Sequence, residues 1–154
     1  MINTVTGEFT SYRAEVVSDA SDWSEATFTF ETDINSINTR IEMRDGHLKS
    51  DKFFGAENFP TMNFVSIRFD SKGDGAFELV GNLTIRDVTK EVVLDVVYGG
   101  QMVDFYGNTK AGFEISGAIN RKEFGLTWDA VTEAGGIVVS DTVKLAMNLQ
   151  LQKQ

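Results

Sequence analysis

The chain has 154 residues with no cysteine, one histidine and one proline, and its 14 Lys and Arg face 23 Asp and Glu for a formal net charge of -9. That length suits one domain with a sizeable core, so 1–154 reads as a single unit, and the acidic balance sets its field against phosphate backbones and anionic membranes, which excludes nucleic acid as an expected partner. Without cysteine there is no disulfide, thiolate metal site or cysteine nucleophile; with His47 alone, no multi-histidine zinc site exists and a Ser-His-Asp triad has only one place to form.

The opening "MINTVTGEFTSYRAEV" has neither a basic nor an apolar leader region, and no stretch approaches the roughly 18 apolar residues of a membrane span. A soluble, cytoplasmic protein without an integral membrane segment is expected, or a periplasmic one if residues ahead of Met1 carried a leader. "ATFTFETDI" then alternates with period two. Ala26, Phe28, Phe30, Thr32 and Ile34 share one phase, and Thr27, Thr29, Glu31 and Asp33 the other, as in a strand with one buried and one wet face.

The segment "INSINTRIEMRDGHLKSDKFFGAE" breaks that period. Ile34, Ile37, Ile41 and Leu48 fall at helix-like spacings, Ser50 or Asp51 suits a cap, and Gly55 suits a left-handed stop, which predicts a short helical excursion around 36–57. Alternation then returns in Met62, Phe64 and Ser66; in Phe77, Leu79, Gly81, Leu83 and Ile85; and in Val92, Leu94, Val96 and Tyr98. It continues in Phe113, Ile115, Gly117 and Ile119, and in Val143 through Leu151. Turn signals separate the runs at 71–75, 86–90, 106–110 and 133–136. About seven long strands in a meander favour a β-barrel or sandwich.

Gly7, Gly81 and Gly117 sit on the inward phase, where a glycine marks either a bend or bulge or a space for a guest. Twelve phenylalanines and five methionines suit a lined tunnel and an ordinary core equally well. Glu42, Asp45, Asp51 and Glu57 match no alternating metal loop and read as a solvated face, so no metal is expected. "GDG" at 73–75 reads as a hairpin turn, and "NR" at 120–121 as a turn whose side chains bond local carbonyls. The outer face offers no obvious apolar stripe for an interface.

"RDGHLKSDKFFGAENFPTMNFVS", "GNLTIRDVTKEVVLDV", "GFEISGAINRKEFGLTW" and "VSDTVKLAMNLQLQ", in that order and spacing, resemble the YceI family of lipocalin-like polyisoprenoid-binding proteins over essentially the whole chain. The resemblance implies an all-β fold, an extended antiparallel eight-stranded barrel whose tunnel holds an isoprenoid or fatty chain, with no other cofactor. It also implies that the family's first strand is absent ahead of "MINTVTGEF", which leaves two unpaired edges that invite dimerisation.

On that footing Phe28, Phe30, Phe64, Leu94, Phe113 and Leu145 are expected to line the tunnel, with Phe53, Phe54, Phe124 and Trp128 near its ends and Phe59 turned towards it. Arg44, His47, Lys49 and Ser50 would hold polar groups near one end, and Arg121 would face either local carbonyls or an anionic head group. The leading expectation is a non-enzymatic binder, carrier or store of a lipid-like small molecule. The alternatives are a filled-core interaction barrel and an enzyme that uses His47 as a base on an amphipathic substrate.

Overall fold

The structure, a computed structural model, describes residues 6–19, 23–126 and 141–153. Its strands are β1 (Glu8–Phe9), β2 (Tyr12–Val17), β3 (Thr27–Asp33), β4 (Ile37–Asn38), β5 (Thr61–Gly73), β6 (Ala76–Ile85), β7 (Val88–Val103), β8 (Thr109–Asn120) and β9 (Thr142–Gln152). One helix, α1 (Glu42–Lys49), and 3₁₀ turns at Ile34–Ser36 and Arg121–Phe124 complete the list. Seven strands form one antiparallel sheet in the order β2-β3-β5-β6-β7-β8-β9, and β1 pairs with β4 in a separate ribbon.

The meander follows from tight turns between alternating runs. Asp74 and Gly75 both take positive φ (54° and 78°) in the two-residue turn that joins β5 to β6, the geometry that matches the twist of a hairpin. Arg86 and Asp87 join β6 to β7, and residues 104–108 join β7 to β8. The expected turn at 133–136 lies outside the described residues.

Where a strand keeps its phase, the inward positions are the buried ones. In β3 the pattern alternates strictly, with Phe28, Phe30 and Thr32 buried between exposed neighbours. The sheet curls until Phe28 of β3 meets Phe113 of β8, four strand positions away, with ring centroids 5.8 Å apart. The result is a nearly closed barrel whose edges are β2 and β9.

The helical excursion is shorter than its spacing predicts. Ile34 is buried in the 3₁₀ turn, Ile37 pairs with Phe9 in the β1–β4 ribbon, and Ile41 precedes α1, half-exposed; only Leu48 lies on the helix and packs on the core. Arg40, at φ 68°, turns the chain out of the ribbon and so delays the helix to Glu42. Past α1, the amides of Phe53 and Gly55 return to the Ser50 carbonyl, and Gly55 takes the expected left-handed conformation at φ 60°.

The glycines assigned to the inward phase are closed off by the protein itself; Gly7, against expectation, is exposed beside the β1–β4 ribbon, where a Cβ would fall 2.7 Å from Thr39 Cγ2. A Cβ at Gly81 would fall 2.4 Å from Phe64 Cζ and 2.6 Å from the Val65 carbonyl oxygen, and one at Gly117 would fall 2.5 Å from Leu94 Cδ2. Gly81 also faces the register shift between Ser66 and Arg68 on β5. There the Ser66 hydroxyl accepts from the Phe28 amide at 2.9 Å and so replaces a ladder carbonyl.

The outer wall departs from expectation, because Val65, Ile67, Val93 and Val97 are each about half exposed. Among the described residues no helix is long and apolar enough to cross a membrane.

Gly81→Ala should destabilise the fold by about 1–3 kcal/mol through overpacking against Phe64. Gly46→Ala, in mid-helix with nothing within 4 Å of its Cβ, should stabilise it by about 0.5–1 kcal/mol. Urea denaturation midpoints of the two variants should therefore move in opposite directions.

Candidate ligand-binding site

The interior is an aromatic column rather than a branched aliphatic one. Trp23, in the β2–β3 connection, packs edge-on against Phe113 (5.0 Å); Phe113 meets Phe28 (5.8 Å), Phe28 meets Phe30 (6.1 Å), and Phe30 stacks on Phe64 (5.4 Å). Phe28 also touches Phe69, which stacks on Phe77 at 4.3 Å. Offset and edge contacts of this kind suit ring quadrupoles.

Of the expected lining residues, Phe28, Phe30, Phe64, Leu94 and Phe113 are buried in this core, and Leu145 of β9 is half-buried and packs against it. Phe53 and Phe124 are buried at the end that α1 covers, and Phe54 packs edge-on between Phe53 (4.9 Å) and Phe9 (6.1 Å). Trp128 lies outside the described residues. Phe59 departs from expectation: it is half-buried under the Arg86 guanidinium, 5.3 Å from its ring centroid, and is not part of the core cluster. Arg86 is fixed there because its Nη1 donates to the carbonyls of Asp51 and Phe53, both at 2.8 Å.

Sequence reasoning passed over Trp23. Its ring contacts both Phe113 and Tyr98, and its indole Nε1 is enclosed with no hydrogen-bond partner. The signal was faint, a tryptophan in a polar stretch between two strands.

The polar residues gather at the α1 end and are held by the protein's own groups. Arg44 donates through Nε to Thr39 Oγ1 (2.8 Å) and through Nη2 to the Thr39 carbonyl (2.7 Å). Asp45 Oδ1 accepts from the Thr39 amide (2.8 Å) and hydroxyl (2.5 Å), which ties the first turn of α1 to the preceding ribbon. Ser50 ends the helix by donating its hydroxyl to the carbonyl of His47, which is itself half-buried on the last turn beside Lys49.

Arg121 is 1% exposed, a buried cation at the base of the barrel. It donates to the Leu126 carbonyl, approaches the Asp141 carboxylate at 3.7 Å and lies 5.9 Å over the Phe53 ring. Asn120 corrects the expected turn chemistry: its side chain accepts from the Lys122 amide (3.0 Å), because it caps the 3₁₀ turn instead of donating to a carbonyl. Among the described residues no group of three or more acidic or histidine side chains is placed to hold a metal ion.

A concavity of about 380 Å³ lies on the outer wall between Lys90, Glu91, Val93, Ala118 and Glu123. It is open and carries charges of both signs, whereas the core cluster inside the barrel is apolar.

The family described as a YceI-like domain matches residues 1–151. This chain belongs to that family. A UPF0312 protein of Staphylococcus aureus strain USA300 is 34% identical over 145 residues, 94% of this chain and 82% of that protein. The crystal structure of a Campylobacter jejuni YceI protein covers 100% of this chain and 88% of its own at 30% identity, with a TM-score of 0.86. A polyisoprenoid binding domain from Saccharophagus degradans, implicated in plant cell wall breakdown, shares the fold at 15% identity and a TM-score of 0.59, over 93% of this chain and 92% of its own.

Within the YceI-like framework two tests address the polar end. Arg121→Met should destabilise by about 2–4 kcal/mol in urea unfolding, since the buried Leu126 carbonyl loses its donor. The Thr39 hydroxyl, outweighing burial, holds the Asp45 carboxyl below its ordinary 3.8, with the Thr39 amide, Lys49 and Arg44 adding to it. A depressed pKa contributes stability above the ordinary value and loses it as pH falls through the lowered one. The stability gap between wild type and Asp45→Asn should therefore be widest above about pH 5 and close in more acid solution, as read from unfolding midpoints at each pH.

Proposed function

We propose that the protein binds a long-chain apolar ligand, an isoprenoid or fatty chain, inside its barrel and carries or stores it without chemical change. The observation that carries this reading is the unbroken column of ring contacts from Trp23 to Phe64 along the barrel interior. Burial of apolar ligand surface contributes roughly 25 cal/mol per Å², so affinity should rise with chain length more than with head-group identity. The Saccharophagus degradans domain, named for polyisoprenoid binding, supports the same use of this fold.

Trp23 adds a polar preference. An enclosed indole N–H without an acceptor is costly, by about 1–3 kcal/mol, and a ligand carbonyl or hydroxyl oxygen beside Phe113 and Tyr98 would satisfy it. The ligand we favour thus has an apolar chain along the column and one oxygen acceptor at the Trp23 end, as in an isoprenoid quinone or a fatty amide.

Native mass spectrometry of the purified protein, followed by organic extraction, should reveal a mass excess that resolves into such a compound. A protein that stays bare after incubation with quinones and fatty amides would overturn the reading. Phe64→Asp and Phe113→Asp should abolish retention. Trp23→Phe should retain a plain hydrocarbon chain unchanged while weakening a carbonyl-bearing one by about tenfold, as measured by competitive displacement of a fluorescent fatty probe.

A further inference from the structure

The hairpin that joins β7 to β8 has a composition at odds with its position. Phe105 and Tyr106 are 106% and 90% exposed, and Met102 and Val103 beside them are 59% and 65% exposed. Four large apolar side chains therefore sit together in water at the extremity of an acidic protein, where the sequence had signalled only a turn.

The hairpin also projects. The Tyr98 amide still donates to the Gly75 carbonyl (2.8 Å), and beyond it residues 99–103 of β7 run past the start of β6 with β8 beside them and β9 beyond, about 16 Å at the rise of a strand. Gly100, at φ 101°, sits at a bulge in this extension, beside the register shift after Tyr98.

The tip is held rigidly. Asp104 Oδ1 accepts from the amides of Tyr106 and Asn108, both at 2.9 Å; the Asp104 amide donates to the Asn108 carbonyl (3.0 Å) and the Gly107 amide to the Asp104 carbonyl (3.1 Å). Most backbone groups of the loop are therefore satisfied internally, which lowers the cost of taking the loop out of bulk water.

Charge completes the pattern. Within residues 99–110 the charged side chains are Asp104 and Lys110, paired at 3.3 Å, so this stretch is neutral in a chain of net charge -9. The Lys153 amide donates to the Thr109 carbonyl, which brings one further cation to the base of the hairpin. The tip is thus spared the repulsion that the acidic body would meet at a phosphate-bearing surface.

We propose that residues 102–106 form a docking element for a lipid surface, with Phe105 and Tyr106 entering the headgroup layer of a zwitterionic bilayer and Met102 and Val103 following at its edge. Phenyl and phenol rings favour that depth, where an apolar body meets lipid and a hydroxyl stays hydrated. The Asp104–Lys110 ion pair limits penetration to the interface. Docking in this way needs no ligand in the barrel and stands apart from the interior site.

Flotation with phosphatidylcholine vesicles tests it on the full chain. Wild type should float with the vesicles, and a Phe105→Ser, Tyr106→Ser double variant, whose changes lie in solvent, should lose about tenfold or more of that partitioning with an unchanged thermal melt. Because the chain has no cysteine, Phe105→Cys and Asn82→Cys each give a single labelling site. An environment-sensitive dye at 105 should shift to the blue on vesicles, and one at 82, on the outer wall, should not.

Failure of the wild type to float, or equal flotation of the double variant, would overturn the proposal. So would stronger binding to phosphatidylglycerol vesicles than to phosphatidylcholine, which would place the contact elsewhere. A dimer in light scattering that the double variant converts to monomer, without vesicle binding, would assign the tip to a second copy of the chain and also overturn it.

Discussion

The contact between Phe28 and Phe113 decides the shape of this molecule. The two rings belong to strands four places apart in the sheet, and they can meet at 5.8 Å only if the sheet between them curls through most of a circle. Inward residues in the middle of β6 and β7 are then enclosed by that curl, which is why Leu79 and Val96 are almost wholly buried. A sheet of the same length left flat would expose one face of these rings, and burial of that apolar area is the dominant favourable term for closing it.

Much of this was legible in the sequence because alternation holds over long stretches, most strictly in β3; where β5 bulges after Ser66 the phase slips, and Phe69 becomes the buried residue. The run from Ala26 to Ile34 specified its buried face residue by residue, and "GDG" specified its turn, since only residues tolerant of positive φ fit there. The resemblance to the YceI family was legible from the order of four long motifs. The extent of α1 was not, because Ile34 and Ile37 satisfy a helical spacing and a ribbon pairing equally well, and Arg40's left-handed backbone decides between them.

The site was legible in its aromatic walls and less so at its ends. Phe28, Phe30, Phe64 and Phe113 announce themselves by phase, whereas Phe59 lies in an irregular stretch where no period says which way a ring turns; its partner, Arg86, is distant in sequence. Trp23 and the 102–106 tip were missed for a related reason. Both lie in connections, where alternation fails, and their meaning comes from exposure and from enclosure, which only the folded chain defines. Gly81 and Gly117, read as either bends or space, proved to be seats for Phe64 and Leu94, an outcome set by neighbours on other strands.

The two ends of the barrel also differ in how they come together. All pairings within the seven-stranded sheet join strands that follow one another along the meander, but β3 reaches β5 only after the excursion that contains β4 and α1, and β8 reaches β9 only after residues 121–141. Both long connections leave from the end where Arg121 and Phe53 meet. The hairpins β5–β6, β6–β7 and β7–β8 close short loops and carry little entropic penalty. The larger loop-closure costs fall on joining β3 to β5 and β8 to β9, and both are met at the end of the barrel where the Arg121 guanidinium lies over Phe53.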